Sequence, residues 1–149
     1  HQQITGNLYA GLLAIRGQRQ APWMPLLGIG TRVPVSPNSL PQPDLLVLPG
    51  LVPDEPSHFT DEALVLFEIL SRSNTRSDQT WRRRVYASIP SCLHYVTVSQ
   101  MNVGVTRYDR ADGWKGASVK SLDDTLVLEG LGAGVEVQLR DIYRFTPLG

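Results

Sequence analysis

Cysteine and long apolar segments are scarce in this chain of 149 residues. Cys92 is the single cysteine, so no disulfide can form within the chain, which is typical of a reducing compartment. No apolar run approaches the roughly 20 residues that a membrane-spanning helix requires, and no signal peptide is visible. We therefore expect a cytoplasmic protein with no membrane association.

Net charge is absent as well, because 14 basic residues balance 14 acidic ones. A neutral chain does not coat nucleic acid or membranes by charge alone. Lysine is nearly missing, with 2 Lys against 12 Arg. Neutrality still allows a local basic patch, and arginine is the residue that binds phosphate groups in a fixed, two-pronged geometry.

The apolar content is high enough for a folded core. Hydrophobic residues make up 42% of the chain and charged residues 19%, so disorder is not the default. The length suits one domain, which we expect to cover residues 1–149. The chain opens at His1 rather than at methionine, so we expect a native start to precede it.

Hydrophobic periodicity predicts two helices. The first is expected over residues 2–16, where apolar side chains recur at helical spacing, and to end at Gly17. The second is expected over 75–87, where Thr75 and Asp78 have the spacing of a capping box. Its predicted apolar stripe comprises Trp81, Val85 and Ile89.

Short apolar runs predict the strands. They lie at 31–35, 45–48, 63–70, 93–98, 103–108, 118–122, 125–128 and 135–139. The run 63–70 is almost continuously apolar, which indicates a strand buried on both faces. A hairpin is expected between 93–98 and 103–108, and a helical turn at 141–145. Helix, strands, helix and strands in this order predict an α+β domain with one central mixed sheet.

Glu68 departs from the apolar pattern of its strand. In an extended chain Leu66, Glu68 and Leu70 share one face. A carboxylate among leucines costs free energy unless a cation, a metal or hydrogen bonds satisfy it. Because functional sites often break the local pattern in this way, Glu68 is a candidate site residue. The alternative is a structural arginine partner, or a position at the sheet edge.

Asp44 follows Pro43 at the head of the preceding predicted strand. Alone, this pair is ordinary turn chemistry. If the two strands are neighbours, however, Asp44 and Glu68 meet at one end of the sheet. Two carboxylates there repel each other unless a divalent cation lies between them, and hard oxygen ligands favour Mg²⁺ or Mn²⁺.

Arginines on the second helix form the third element of this candidate site. Asp78, Arg82 and Tyr86 are spaced by four residues and share a helix face. Arg82 either forms a plain ion pair with Asp78 on a solvated face, or points at the carboxylates and stabilises a phosphate. Weaker candidates for phosphate binding are Arg72, Arg76 and Arg83.

Several stretches together resemble a known family. They are PDLLVL at 43–48, LVLFEILSRSNTRSDQTWRRRVYASIPSCLHYVTV at 64–98, VTRYDR at 105–110 and GLGAGVEVQLRDIYRF at 130–145. In order and spacing they resemble the putative restriction endonuclease family of cyanobacteria and other bacteria, within the PD-(D/E)XK nuclease superfamily. The first helix, opening at His1, is similar to that family's early helix.

The resemblance implies a restriction-endonuclease-like fold and a magnesium-dependent endonuclease that cleaves DNA. Asp44 and Glu68 would hold Mg²⁺ or Mn²⁺, with the backbone carbonyl of Ile69 as a further ligand. The metal would activate a water molecule, and Arg82 would contact the phosphate. The resemblance also favours a homodimer.

The sequence departs from the family pattern at several positions. Leu70 occupies the place of the superfamily lysine, and Arg82 stands where the family supplies a lysine from the helix. Arginine stays charged and is a poor proton acceptor. The family's Pro-Glu and Tyr-Trp pairs are replaced by Cys92-Leu93 and His94-Tyr95. The alternatives are therefore a degenerate relative that binds nucleic acid or protein, and a purely structural domain in which Glu68 pairs with an arginine.

Overall fold

A six-stranded mixed sheet with helices on both faces organises the chain. The computed structural model describes residues 1–50, 58–132 and 134–149. The helices are α1 (Gln2–Arg19), α2 (Arg76–Ala87) and α3 (Leu139–Ile142). The strands are β1 (Trp23–Leu26), β2 (Gly30–Thr31), β3 (Leu45–Pro49), β4 (Phe59–Thr60), β5 (Val65–Leu70), β6 (His94–Ser99), β7 (Val105–Asp109), β8 (Gly116–Val119), β9 (Thr125–Leu128) and β10 (Val135–Gln138).

The main sheet has the strand order β1-β3-β5-β6-β7-β8. Among the described strands of this sheet only β5 and β6 run parallel, and α2 forms the crossover between them; the other neighbours in the sheet are antiparallel. The predicted hairpin is confirmed by the pairing of His94 with Asp109 across β6 and β7. The smaller strands form separate pairs, β9 with β10 and β2 with β4.

Two apolar cores lie on opposite faces of the sheet. On one face α1 and α3 pack over Val65, Phe67 and other alternate residues of the central strands. On the other face α2 packs over Leu46 and Leu66. The residues of β5 are buried on both faces from Val65 to Ile69, as the continuous apolar run predicted. No helix in the described ranges is long and apolar enough to cross a membrane.

The first helix is longer than the sequence predicted. It passes through Gly17 and ends at Arg19, and Gln20 adopts the left-handed conformation with a φ of 50°. The backbone N–H groups of Gln20 and Ala21 donate to the Arg16 carbonyl, which closes the helix end. The prediction of a stop at Gly17 was wrong because these closing hydrogen bonds, and not the glycine, set the end.

The capping box of α2 is confirmed, but its apolar stripe is only partly right. Thr75 accepts a hydrogen bond from the Asp78 N–H, and the Asp78 carboxylate accepts one from the Thr75 N–H. Val85 and Ile89 are buried, whereas Trp81 is 38% exposed. The buried residues of α2 lie in its C-terminal half, so its N-terminal half extends beyond the core and leaves the tryptophan partly exposed.

Two predicted strands are displaced for local reasons. Only Thr31 of the run 31–35 belongs to a strand, as the second residue of β2, and Pro34 has no N–H with which to continue a ladder. The run 118–122 ends early as β8, because the Asp124 carboxylate accepts hydrogen bonds from the Lys120 and Ser121 N–H groups and forms a turn there.

Candidate functional site

The pairing of β3 with β5 brings Asp44 beside Glu68. Leu45, the first residue of β3, lies opposite Phe67 of the antiparallel strand β5. Asp44, which precedes Leu45, is therefore level with Glu68, which follows Phe67. The Asp44 N–H donates to the Phe67 carbonyl at 3.1 Å. The Asp44 carboxylate in turn accepts a hydrogen bond of 2.7 Å from the Ile69 N–H. The carboxylate is therefore held against β5 at the point where β3 begins.

Glu68 is buried at this end of the sheet, and its carboxylate accepts hydrogen bonds from two side chains. Its side chain accepts a hydrogen bond of 2.6 Å from Nη1 of Arg82 and one of 2.8 Å from the Tyr86 hydroxyl, both at Oε1. Burial raises the pKa of Glu68 from 4.5 to about 7. Arg82 and Tyr86 oppose this rise, and the negative charge of Asp44 adds to it. The carboxylate thus takes up a proton more readily than an exposed glutamate does.

The helix α2 supplies both donors from one face. Arg82 and Tyr86 are one turn apart, and the Arg82 guanidinium also contacts the Tyr86 hydroxyl at 3.3 Å. Asp78, one turn earlier, is engaged in the capping box instead. The structure thus resolves the choice left open by the sequence: Arg82 points toward Glu68 and forms its ion pair with that carboxylate.

A family model described as "Putative restriction endonuclease", and named Uma2, matches residues 1–140. The chain belongs to this family. No curated protein matches its sequence significantly.

Among solved structures, the chain is similar to a putative nuclease belonging to DUF820 from Anabaena variabilis ATCC 29413. The TM-score is 0.76 at 12% identity, and the match covers 96% of this chain and 79% of the other. A structural match at this level of sequence identity shows a shared fold and nothing about a shared function. The predicted α+β, restriction-endonuclease-like fold is confirmed.

His1 lies next to the candidate site of this Uma2 chain, and the sequence analysis assigned it no role. Its Nε2 atom lies 3.2 Å from Oδ1 of Asp44, and its side chain is partly exposed. The available signal was its position at the start of α1. A contact between the first helix and the head of β3 depends on the tertiary fold, however, and no local pattern indicates it.

Tyr95 is a second residue that the sequence analysis missed. It lies on β6, and its ring is 5.3 Å from the Tyr86 ring and stacks on Tyr108 at 5.8 Å. Its hydroxyl is buried and has no hydrogen-bond partner among the described residues. Burial raises the pKa of Tyr95, and the charge of Glu68 raises it further. The available signal was that Tyr95 stands where the family resemblance expects tryptophan.

The three weaker arginine candidates lie outside this carboxylate pair. Arg72 is exposed in the turn after β5, and Arg76 is exposed at the first position of α2. The Arg83 guanidinium lies 4.9 Å from the centre of the Tyr108 ring, a cation–π contact. Phosphate binding by these residues of the Uma2 chain stays a prediction.

His94 has a structural role in the hairpin of β6 and β7. Its ring is buried, with Nδ1 2.5 Å from an Asp109 oxygen and Nε2 2.6 Å from the Glu129 carbonyl. Arg107 binds the other Asp109 oxygen at 2.8 Å. These hydrogen bonds tie β6 to β7 and to the Glu129 carbonyl.

The donor set at Asp44 and Glu68 suits magnesium better than zinc. The described residues contain no group of three or more His, Cys, Asp or Glu side chains placed to hold a metal. Zn²⁺ sites need three or four such ligands, whereas Mg²⁺ commonly takes one or two carboxylates and keeps several waters. The adjacent carboxylates of Asp44 and Glu68 fit that second requirement.

Proposed function

We propose that this Uma2 protein is a Mg²⁺-dependent endonuclease that hydrolyses phosphodiester bonds in DNA. The observation that carries the proposal is the placement of Asp44 next to the buried Glu68 at one end of the sheet. The buried carboxylate of Glu68 is costly for folding, since burial raises the pKa of Glu68 to about 7. A cost of this kind is expected where residues serve a function besides folding.

Asp44 and Glu68 would hold the metal, and the Ile69 carbonyl is the proposed third protein ligand. The N–H and the carbonyl of a strand residue point to the same edge. Because the Ile69 N–H donates to the Asp44 carboxylate, we expect its carbonyl to face the same edge. When bound, Mg²⁺ would polarise the scissile phosphate and lower the pKa of a water molecule.

Each side chain of the site has a separate task in this proposal. The Ile69 N–H fixes the orientation of Asp44, and the Tyr86 hydroxyl fixes that of Glu68. Arg82 neutralises Glu68 in the free protein and contacts the phosphate of the substrate. Arg82 does not accept the proton of the attacking water, because a guanidinium stays charged at any relevant pH.

A second candidate function is a relative that binds nucleic acid without cleaving it. The observation that favours it is the 2.6 Å ion pair between Arg82 and Glu68. A guanidinium at this position already supplies the positive charge that a metal would bring. Leu70 and Arg82 also leave the site without the lysine that the superfamily uses.

Metal binding and cleavage separate the two candidates. Calorimetric titration with Mn²⁺ should show binding to the wild type that is lost in Glu68→Gln and in Asp44→Asn. Glu136→Gln is the matched control, because Glu136 is an exposed strand glutamate on β10. Plasmid DNA should be cut with Mg²⁺ by the wild type and by the control only. Mn²⁺ binding that survives in Glu68→Gln contradicts the proposed site, and binding of DNA without cleavage favours the second candidate.

A further inference from the structure

The outward face of α2 carries an exposed tryptophan flanked by arginines. Trp81 is 38% exposed, although a tryptophan on an amphipathic helix is expected to be buried. It lines a shallow depression of about 610 Å³ on this helix. We call this surface the Trp81 patch, and it consists of Arg76, Ser77, Thr80, Trp81 and Arg84.

The chemistry of the Trp81 patch is cationic and aromatic. No acidic residue lines it, and neither arginine takes part in an ion pair within the described part of the chain. Ser77, Trp81 and Arg84 are spaced by four and three residues, so they share one helix face. An aromatic surface beside two guanidinium groups that have no ion-pair partner among the described residues complements a base next to phosphates.

The patch is a poor interface for a second copy of the chain. Among the residues of α2, Trp81 is the only large apolar side chain that is exposed. A stable protein interface buries about 800 Å² on each partner around an apolar centre. One tryptophan among arginines and hydroxyl groups does not provide such a centre, and a polyanion matches the charge better.

We infer that the Trp81 patch binds single-stranded nucleic acid, with a base stacked on Trp81 and phosphates held by Arg76 and Arg84. In a duplex the faces of the bases are stacked on each other, so an aromatic side chain on the surface cannot reach them. A strand with unstacked bases offers those faces. The patch therefore favours a single strand, or a single-stranded stretch within a duplex.

The position of the patch links it to the carboxylate pair. Successive residues of a helix are rotated by about 100°, so Trp81 points outward while Arg82 points to Glu68. A strand with one phosphate at Arg82 would continue over Trp81 within the same helical turn. This link between the patch and the carboxylate pair rests on the proposed function, whereas binding of a single strand at the Trp81 patch requires no metal.

Fluorescence anisotropy in EDTA tests the inference directly. The probes are a labelled oligothymidylate of about 15 nucleotides and a labelled duplex of the same length. We expect the wild type to bind the single strand more tightly than the duplex. Trp81→Ala should weaken single-strand binding by about tenfold, which corresponds to the loss of one stacked base. Trp81→Phe should retain part of the affinity.

A matched pair of double variants controls for charge. Arg76→Gln with Arg84→Gln should weaken binding of the single strand. Arg140→Gln with Arg144→Gln removes two exposed arginines from the region of α3 and should leave binding unchanged. Circular dichroism checks that each variant is folded.

Three results would overturn the inference. They are unchanged single-strand binding by Trp81→Ala, equal or tighter binding of the duplex, and a dimer in solution that dissociates in Trp81→Ala. Glu68→Gln keeps the two proposals apart, because it should lose Mn²⁺ and retain the oligothymidylate. If the wild type binds no Mn²⁺ but binds the single strand through Trp81, only the metal-dependent function fails.

Discussion

Glu68 shows most clearly how a single residue can act against the stability of its own fold. Its pKa is about 7 in the folded protein, raised by burial from 4.5. At pH below 4.5 the carboxyl is protonated in both the folded and the unfolded state. Between pH 4.5 and 7 the folded state binds more protons, so this group makes the free energy of unfolding fall as pH rises. Above pH 7 the loss is complete and amounts to about 3 kcal/mol at most.

The first prediction follows for Glu68→Gln in the absence of metal. Glutamine keeps the shape but cannot ionise, so the variant should be more stable than the wild type at pH 8 by about 1–3 kcal/mol. The lower bound allows for Arg82, which loses its ionic partner. At pH 4 the two proteins should differ little. Urea unfolding in EDTA at both pH values measures this, with Glu136→Gln as the exposed control. A wild type that gains stability relative to Glu68→Gln between pH 4 and 8 contradicts it.

Tyr95 supports a second prediction at this scale. Its buried hydroxyl has no partner among the described residues, and such a group costs about 1–3 kcal/mol. Tyr95→Phe removes the hydroxyl and keeps the ring between Tyr86 and Tyr108, so the free energy of unfolding should rise by about 1 kcal/mol. Tyr86→Phe is the contrast, since it removes the hydrogen bond to Glu68. A loss of stability in Tyr95→Phe would mean that the hydroxyl is hydrogen-bonded in solution.

Among the elements, α2 connects local sequence signals to the site. Its capping box fixes where the helix starts, and this start sets the rotation at which Arg82 and Tyr86 reach Glu68. The third prediction is that Thr75→Ala lowers the free energy of unfolding by about 1 kcal/mol. Urea unfolding measures this, and Thr80→Ala, within the same helix, should cost less because Thr80 only bonds the Arg76 carbonyl. Equal losses in the two variants would argue against the capping box as the cause.

Elements with strong local signals could be predicted from the sequence. The apolar run of β5 and the capping box of α2 depend on neighbouring residues alone, and both were right. The exposure of Trp81 was missed, because periodicity identifies a helix stripe but not how far along the helix the core extends. The end of α1 was missed for a related reason, since its closing hydrogen bonds come from residues beyond the apolar stripe.

Of the candidate site, the sequence could predict which strand residues lie side by side, but not the side-chain contacts between distant segments. Asp44 and Glu68 could be placed together by assuming that the consecutive predicted strands 45–48 and 63–70 pair. The corresponding strands β3 and β5 do pair, with β4 lying elsewhere. The choice between Asp78 and Glu68 as the partner of Arg82 depended on how α2 sits on the sheet. The contacts of His1 with Asp44 and of Tyr86 with Glu68 join distant segments, and the pattern of either segment alone does not indicate them.

At the scale of the whole molecule, zero net charge limits how nucleic acid can be bound. A neutral chain has little long-range attraction for a polyanion, so affinity must come from local contacts. The arginines assigned to phosphates are Arg76, Arg82 and Arg84. Each phosphate contact on a single strand contributes about 0.7 to the slope of log affinity against log salt concentration, which gives a slope of about −2.

The fourth prediction is therefore a weak salt dependence. Anisotropy titrations of the wild type with oligothymidylate across a range of NaCl concentrations should give a slope of about −2, and of about −1 for Arg76→Gln with Arg84→Gln. The stacking contribution of Trp81 involves no counterion, so Trp81→Ala should lower affinity at every salt concentration without changing the slope. A slope steeper than about −4 would require phosphate contacts at further arginines, and the binding surface would then extend well beyond α2.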